Sequence, residues 1–530
     1  MIKKIGSDYA LISLLTILVS FCSIIYELVY SQALTVLYGG TVARYSITIG
    51  LYLISLGFGA FFYNVFKFKN KAVFFWVVEL LLSLAGPFGV LAIFALSSAS
   101  LAAGWVNPAP VFFISHVPIL LVGVLSGIEI PLLVGLLSAD EKDKFSKILG
   151  LDYLGAFIGT VVYSLVLYPK LGLIATALWV GFLNFLSMGI YTVWKMGKNA
   201  GLKLVSLFIL ILYLLLLYFS NDIQSNLQRT YRESEIRFQY RQDPEVRSVR
   251  VEQTFSTPYQ DVTLYETVSP QGETDTCLSL DSHTQICDST YQLYHGGLVD
   301  VPMLFLRGEK LKALVIGGGD FIAVDFLLQY PNVESIDQVD IDGQFLEFMK
   351  TNPHFKELHH DAYKSPLLKI FVEDGYSYLR FNQKKYDFIL IDLPGVQHDK
   401  LSHLFSAEFY GFLYRSLTDQ GVVSGWTYGA LSRARKHYET LMNTMREGGF
   451  RTHVLYDAYR LKDDHALPAQ PFYLLSKGND REPLLPSNAP ESLQRSYSLY
   501  RGLTWIEIPE FSDVRPNTVL KPNYDIVLKA

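Results

Sequence analysis

Cysteine is scarce in this chain: three residues in 530. That excludes a fold stapled by many disulfides, which small secreted domains use in place of a core. Charge is scarce too, at 18% of residues against 50% hydrophobic, and the mean hydropathy is +0.24. A single water-soluble domain is thereby excluded. The shortage is local. Residues 1–220 carry 13 Lys and Arg and 8 Asp and Glu, whereas residues 221–530 carry 32 and 42. The net charge of −5 is thus +5 on an apolar half and −10 on a polar one. An acidic polar half repels phosphates, so nucleic acid is an unexpected partner. Neither an internal repeat nor a Walker lysine is present, which argues against fibrous proteins and phosphate-loop nucleotide binders.

What is present in the first half is a series of long apolar runs. Seven stretches are long enough to span a bilayer as helices: 9–30, 43–65, 72–98, 110–137, 148–169, 171–194 and 202–219. The first is too long for a signal-peptide core and is followed at once by another span, so it reads as an anchor. Eleven lysines fall on one set of loops (Lys3, Lys4, Lys67, Lys69, Lys71, Lys142, Lys144, Lys147, Lys195, Lys198, Lys203), and only Arg44 and Lys170 on the other. This bias places the N-terminus in the cytoplasm of a multi-pass inner-membrane protein. Seven crossings then place the soluble part outside; Gly127-Ile128-Glu129-Ile130-Pro131 in the fourth stretch also suits a re-entrant segment, and one span fewer reverses that side. Four acidic residues lie within the spans: Glu27, Glu79, Glu129 and Asp152. Either they line a path for substrate or ions, or they lock helices together. Gly57, Gly59, Gly155 and Gly159 suit close helix packing.

The remaining chain divides into a connector with a small β-hairpin domain (221–300) and an α/β domain (301–530). Residues 221–250 are polar and read as the connector. Alternation at Val249, Val251, Val262, Leu264, Cys277, Leu278 and Leu280 predicts a small antiparallel β unit. From 311, strands at 313–316, 336–342, 368–373, 386–391 and 422–426 alternate with helical patterns, which predicts a doubly wound parallel sheet. Its ligand crevice lies at the strand C-termini, which singles out Asp320, Asp340, Asp342, Asp374 and Asp392. Gly317-Gly318-Gly319 allows a ligand to approach the backbone. Asp340, 23 residues beyond Gly317, suits ribose hydroxyls. Asp320 beside the glycines would repel a pyrophosphate, so a nucleoside bearing a sulfonium fits better than a dinucleotide.

Cys277 and Cys287 flank the hairpin near Asp281-Ser282. A three-residue loop would place them directly opposite, and a two-residue turn one residue out of register. Both arrangements bring them near disulfide range. A disulfide here agrees with an exported domain. His354, His359 and His360 have no cysteine companions, and no metal is expected.

These residues resemble the spermidine synthase (polyamine aminopropyltransferase) family, in its membrane-bound multi-pass branch. The resemblance is carried by Tyr259-Gln260, Leu280-Asp281, Tyr294-His295, Gly317-Gly318-Gly319-Asp320, Val339-Asp340-Ile341-Asp342, Glu373-Asp374-Gly375, Asp392-Leu393-Pro394 and Phe405-Ser406. In the membrane half it rests on Tyr26-Glu27, Gly39-Gly40-Thr41, Gly127 to Pro131 and Asp152-Tyr153. It implies a Rossmann-like, methyltransferase-type sheet and transfer of an aminopropyl group from decarboxylated S-adenosylmethionine to an amine such as putrescine. Methylthioadenosine is then the product, and no separate cofactor is needed. By resemblance, Gln260, Gly317, Gly319, Asp340, Asp374 and Gly375 hold the nucleoside. His295 and Asp320 face the amine, Asp392 is the catalytic carboxylate, and Tyr259 helps hold the nucleophile. A homodimer is a further expectation.

The departures fall on the amine side. Gly395 stands where the branch has a second loop carboxylate, Phe321 follows Asp320 in place of glycine, Thr290-Tyr291 replace an acidic pair, and Gly296 replaces a glutamate. A second reading therefore stays open: a non-catalytic nucleoside- or polyamine-binding, transport-associated membrane protein. The simpler alternatives are also open: Asp392 as a helix cap, Asp374 as a turn residue, His295 as a packed histidine, Phe321 as core or as a plug in the substrate space. The donor is made in the cytosol, which conflicts with an exported domain.

Overall fold

The computed structural model describes residues 2–38, 42–65, 70–105, 109–137, 145–195, 200–396, 399–427, 435–457, 471–478, 481–487 and 489–523. Several loop lysines that set the expected orientation, among them Lys67, Lys69, Lys142, Lys144 and Lys198, lie outside these residues, as does Gly39-Gly40-Thr41. Internal contacts divide the chain into two units, Met1–Thr254 and Phe255–Ala530.

The first unit is helical: α1 (Ile2–Tyr38), α2 (Val42–Val65), α3 (Lys71–Ala102), α4 (Ala109–Ser115), α5 (Val117–Leu136), α6 (Phe145–Val162), α7 (Tyr168–Lys195), α8 (Ala200–Tyr218) and α9 (Ser220–Gln239). Among the described residues, five continuous stretches are long and apolar enough to cross a membrane, and the bent pair Lys203–Tyr218 with Ser220–Gln239 makes a sixth. The fifth, Phe145–Val193, has 49 residues. As one straight helix it would be about 70 Å long, more than twice the hydrocarbon thickness. It turns back on itself instead. Gly155 and Gly159 lie against α1 at Ile17 and Phe21, and Gln32 bonds the Tyr168 hydroxyl at 3.1 Å. The Cys22 thiol then meets the Val180 carbonyl at 3.8 Å. α6 therefore runs along α1 in one direction and α7 returns in the other. The break is at Gly172, whose φ of 75° a side chain would disfavour.

The spacing of glycines explains the tight packing. A methyl group on Gly59 or Gly127 would collide with the facing backbone of α5 or α2, and one on Gly155 with that of α1. Gly57 faces open space, contrary to the expectation for that position. Three of the four acids in the apolar helices have interior partners. Glu79 takes hydrogen bonds from Asn184 (2.9 Å) and Ser187 (2.8 Å) and contacts Glu129, while Asp152 accepts from Ser20.

One correction concerns residues 221–250. The segment read as a connector holds helix α9, which packs with the helical unit. Ile223, Leu227 and Tyr231 recur on one face and join its core. Its Gln224 side chain accepts from the amides of Ile174 and Ala175, satisfying donors freed by the break at Gly172. An amphipathic helix of low mean hydropathy looks polar when read by composition alone.

Strand β1 (Ser248–Ser256) runs through the division between the units. The second unit continues with β2 (Asp261–Val268), β3 (Thr274–Leu280) and β4 (His283–Cys287), an antiparallel meander. The β3–β4 turn is the two-residue Asp281-Ser282, both with positive φ (47° and 71°), as a tight hairpin needs. Pairing runs Leu280↔His283 and Ser279↔Thr284, then Leu278↔Ile286 and Cys277↔Cys287. The bulge at Gln285 supplies the residue that puts the cysteines opposite one another, and their sulfurs are bonded with Cα atoms 4.1 Å apart.

The large sheet comprises β5 (Leu311–Gly317), β6 (Val333–Asp340), β7 (Leu368–Val372), β8 (Tyr386–Asp392), β9 (Leu417–Trp426), β10 (Thr452–Asp457), β11 (Pro471–Ser476) and β12 (Ile506–Glu507), in the order 12-10-11-9-8-5-6-7. β5 to β9 are parallel, as expected. The wholly parallel sheet is corrected: β11 enters antiparallel between β9 and β10, and β12 pairs antiparallel with β10. β5 shows the two-sided burial of a central strand. Ala313 and Val315 join the core on one face, Leu314 and Ile316 the core on the other. Strand order reverses between β5 and β8, the place where a doubly wound sheet forms its ligand crevice.

Candidate active site

Gly317 pairs in register with Asp392, so the glycine turn and the loop after β8 share one edge of the crevice. The turn is held from beneath. Gly318 N–H donates to the Asp392 carbonyl at 2.8 Å. The buried Gln338 amide donates to the carbonyls of Gly317 (3.3 Å) and Gly318 (2.5 Å). Gly317 and Gly318 have φ of 82° and 61°. A Cβ on Gly319 would meet Asp340 Oδ2 at 2.8 Å, so glycine there admits the carboxylate. Asp320 Oδ1 accepts from Ile322 N–H at 2.8 Å, at the start of the helix Ile322–Leu328.

Phe321 is fully buried at φ 64°, a strained conformation for an aromatic residue. Its ring packs 5.7 Å from His359 and 5.8 Å from Tyr363. It is a core side chain and does not fill the crevice.

Asp392, Asp320 and His295 converge. His295 Nε2 is 3.8 Å from Asp320 Oδ1 and 3.9 Å from Asp392 Oδ2, and Nδ1 is fixed by the Tyr291 carbonyl at 2.8 Å. The Tyr294 hydroxyl donates to Asp392 Oδ1 at 3.0 Å. Two atoms remain buried without a hydrogen-bond partner: His295 Nε2 and Asp392 Oδ2. Burial pushes the Asp392 carboxyl well up, aided by the charges of Asp320 and Asp340 and opposed by the Tyr294 hydrogen bond. Burial likewise pushes His295 down, against the pull of Asp320. The three side chains present donor atoms within 4.8 Å of one another, a set suited to a small cation, whether a metal ion or an ammonium group.

Asp340 accepts from Asp342 N–H at 2.8 Å, and burial raises its pKa to about 7. Gln260 reaches Asp342 Oδ2 at 3.0 Å, beside the Thr257 hydroxyl at 2.6 Å. Asp374 caps the helix Gly375–Phe381, accepting from Ser377 N–H (2.9 Å) and Oγ (2.7 Å), with His403 at 3.7 Å. These contacts hold its carboxyl well below the usual range. Tyr259 is half exposed on the turn into β2, with its amide on the Thr257 hydroxyl. The histidines at 354, 359 and 360 go separate ways, to Asp288, the Met349 carbonyl and Asp325. Sequence reading gave no role to Tyr294, Gln338, Thr257 or His403. Tyr294 stood next to a candidate and was legible as such; Gln338 was legible as an amide inside a buried strand.

The fold and this crevice define a doubly wound α/β domain with a glycine turn, an acidic strand end for a polar ligand, and a buried pocket for positive charge. Residues 291–455 match the family model described as the spermine/spermidine synthase domain. The chain is 29% identical over 440 residues to polyamine aminopropyltransferase 2 of Aquifex aeolicus, covering 82% of each. It is 27% identical over 524 residues to polyamine aminopropyltransferase 1 of Streptomyces coelicolor, covering 97% of this chain and 92% of that one. Among solved structures, spermidine synthase from Thermotoga maritima aligns with a TM-score of 0.37 and 21% identity, over 50% of this chain and 81% of that one. The chain is thus similar to the polyamine aminopropyltransferases over most of its length, and residues 291–455 carry the likeness to the spermine/spermidine synthase domain.

Proposed function

We propose that this chain is a membrane-anchored aminopropyltransferase that uses decarboxylated S-adenosylmethionine and an amine whose pocket differs from the family pattern. The observation that carries the reading is the pair of buried, unpartnered atoms, Asp392 Oδ2 and His295 Nε2, at the end of the sheet's central strands. An unpaired buried oxygen and nitrogen cost stability unless a ligand completes them. An ammonium does so.

In this reading Gln260, the turn at Gly317 and Gly319, Asp340, and Asp374-Gly375 hold the nucleoside. His295 and Asp320 face the amine. Asp392 takes the ammonium proton, and the freed nitrogen lone pair attacks the methylene next to the sulfonium. The carbon–sulfur bond breaks, its electrons return to sulfur, and neutral methylthioadenosine leaves. The sulfonium is already a good leaving group, so alignment, desolvation and one proton transfer suffice. Tyr294 holds Asp392 in place, and Tyr259 helps hold the amine nucleophile.

The substituted positions Thr290 and Gly395 bear on which amine fits, whereas Gly296 faces Asp300 and Phe326 on the far side of His295. Thr290 and Gly395 each leave out a carboxylate that a diammonium substrate would otherwise meet. Turnover of decarboxylated S-adenosylmethionine with a panel of mono- and diamines tests the reading. Methylthioadenosine release that requires Asp392 is expected. Tight binding of methylthioadenosine with no turnover for any amine would favour the binding-protein reading.

A separate proposal concerns topology: seven membrane crossings, with 145–195 contributing two, a cytoplasmic N-terminus and an outer soluble domain, to which the cytosolic donor would have to be carried across the membrane. The Cys277–Cys287 disulfide supports that side. A reporter fused at residue 530 tests it, and a cytoplasmic signal would overturn it.

A further inference from the structure

Behind His295 lies a second cavity, separate from the crevice. Its volume is about 360 Å³, and its walls include Gly296, Asp300, Asp325, Phe326, Leu493 and Tyr500. Phe326 divides it from the catalytic cluster, its ring 5.9 Å from the His295 imidazole.

The chemistry of the walls is specific. Asp300 is buried; one carboxylate oxygen takes the Tyr330 hydroxyl at 2.8 Å. Its other oxygen lies 3.5 Å from where a Cβ on Gly296 would stand. The absent side chain at 296 thus leaves that oxygen uncovered. Asp325 supplies a second carboxylate, with His360 on it at 3.1 Å. The Tyr500 hydroxyl is buried and has no hydrogen-bond partner. The remaining walls are aromatic and aliphatic apart from the amides of Gln292 and Gln329.

Two carboxylates repel an anion, and a desolvated carboxylate calls for a cation. Aromatic faces attract an organic cation through their quadrupoles, and the aliphatic wall accepts a hydrocarbon chain. A hydroxyl with no partner accepts an N–H. We propose that this cavity is a second site, for an alkylammonium ion, with Asp300 and the Tyr500 hydroxyl holding the ammonium group. Gly296 opens the cavity. Its occupant would place positive charge one ring away from His295, on the side where Asp325 now acts on that imidazole. The site stands whether or not the crevice turns over substrate.

Equilibrium dialysis of radiolabelled putrescine against the purified full-length protein in detergent tests this. Binding of one putrescine that survives Asp392→Asn is expected. Gly296→Leu, which fills the cavity, and Asp300→Asn are each expected to weaken that binding at least tenfold, and Tyr500→Phe severalfold. Tyr500→Phe removes one oxygen and keeps the ring, so it serves if either of the others fails to fold. Unchanged binding in the folded variants would overturn the proposal. So would loss of all binding in Asp392→Asn, or no binding by the wild-type protein.

Discussion

Two aspartates of one sheet end up in opposite states. Asp374 follows β7 at the sheet edge, and Asp392 ends β8 at the centre. Asp374 is surrounded by donors: two backbone amides, a serine hydroxyl and His403. Asp392 has one, the Tyr294 hydroxyl, and an oxygen left bare. The first is therefore held ionised and the second is pushed toward its neutral form. A carboxylate whose partners are all protein is a scaffold. One whose partners are incomplete is poised for something the protein does not supply. Under the proposed reading, the nucleoside side of the crevice is finished before substrate arrives, and the amine side is finished by it.

The sharpest break of this contrast is at Asp392. Asp392→Asn is expected to lower turnover by about 10³-fold, the usual scale for removing a general base. Methylthioadenosine affinity should stay within a few-fold, as isothermal titration would show. An equal loss of both would mean that the two sides of the crevice are not separable. Next in size is Tyr294→Phe. It removes the hydrogen bond that favours the charged carboxylate, so the pKa of Asp392 rises further. Under the proposed reading, activity needs the ionised form and falls as pH drops through that pKa. The acid limb of the kcat/KM profile should then move to higher pH, with about a tenfold loss near neutrality. A limb that stays in place would separate Tyr294 from the proton transfer.

The contrast also shows what the sequence carried and what it did not. Both aspartates were legible, because a polar residue after an apolar strand sits at the crevice whatever its surroundings. So were β5 to β9, the hairpin and its cysteines, since periods of two and short apolar runs mark them directly. Their different fates were not legible. They depend on Tyr294, 98 residues before Asp392, and on His403, 29 residues beyond Asp374. The hairpin shows the same limit at short range: the turn was placed, but the bulge at Gln285 that aligns Cys277 with Cys287 leaves no mark in the pattern. β10 to β12 escaped because they pair antiparallel, outside the strand–helix rhythm. Helix α9 escaped because its burial comes from one face of an otherwise polar segment.

The smallest expected effect lies on the finished side. Asp374→Asn keeps an oxygen that can cap the helix Gly375–Phe381, but removes the charge that Ser377 and His403 meet. A loss of about 1 kcal/mol of stability near neutral pH is expected, typical of a weakened N-cap. The pH dependence gives the sign. The folded-state pKa of Asp374 lies below its unfolded value, so its contribution is present above the unfolded pKa. It is lost as pH falls through the folded value. The destabilisation by Asp374→Asn should therefore shrink on acidification and be smaller at pH 3 than at pH 7, in thermal melts of the detergent-solubilised protein. Asp340 runs the other way. Its folded pKa of about 7 lies above the unfolded one, so its contribution is present in acid and lost as pH rises toward 7. Asp340→Asn should then gain on the wild type between pH 4 and pH 8, while the deficit of Asp374→Asn stays level over the same interval. Parallel pH trends in the two variants would show that the neighbouring strand ends share one electrostatic environment, and the division of the crevice into a finished and an unfinished side would lose its basis.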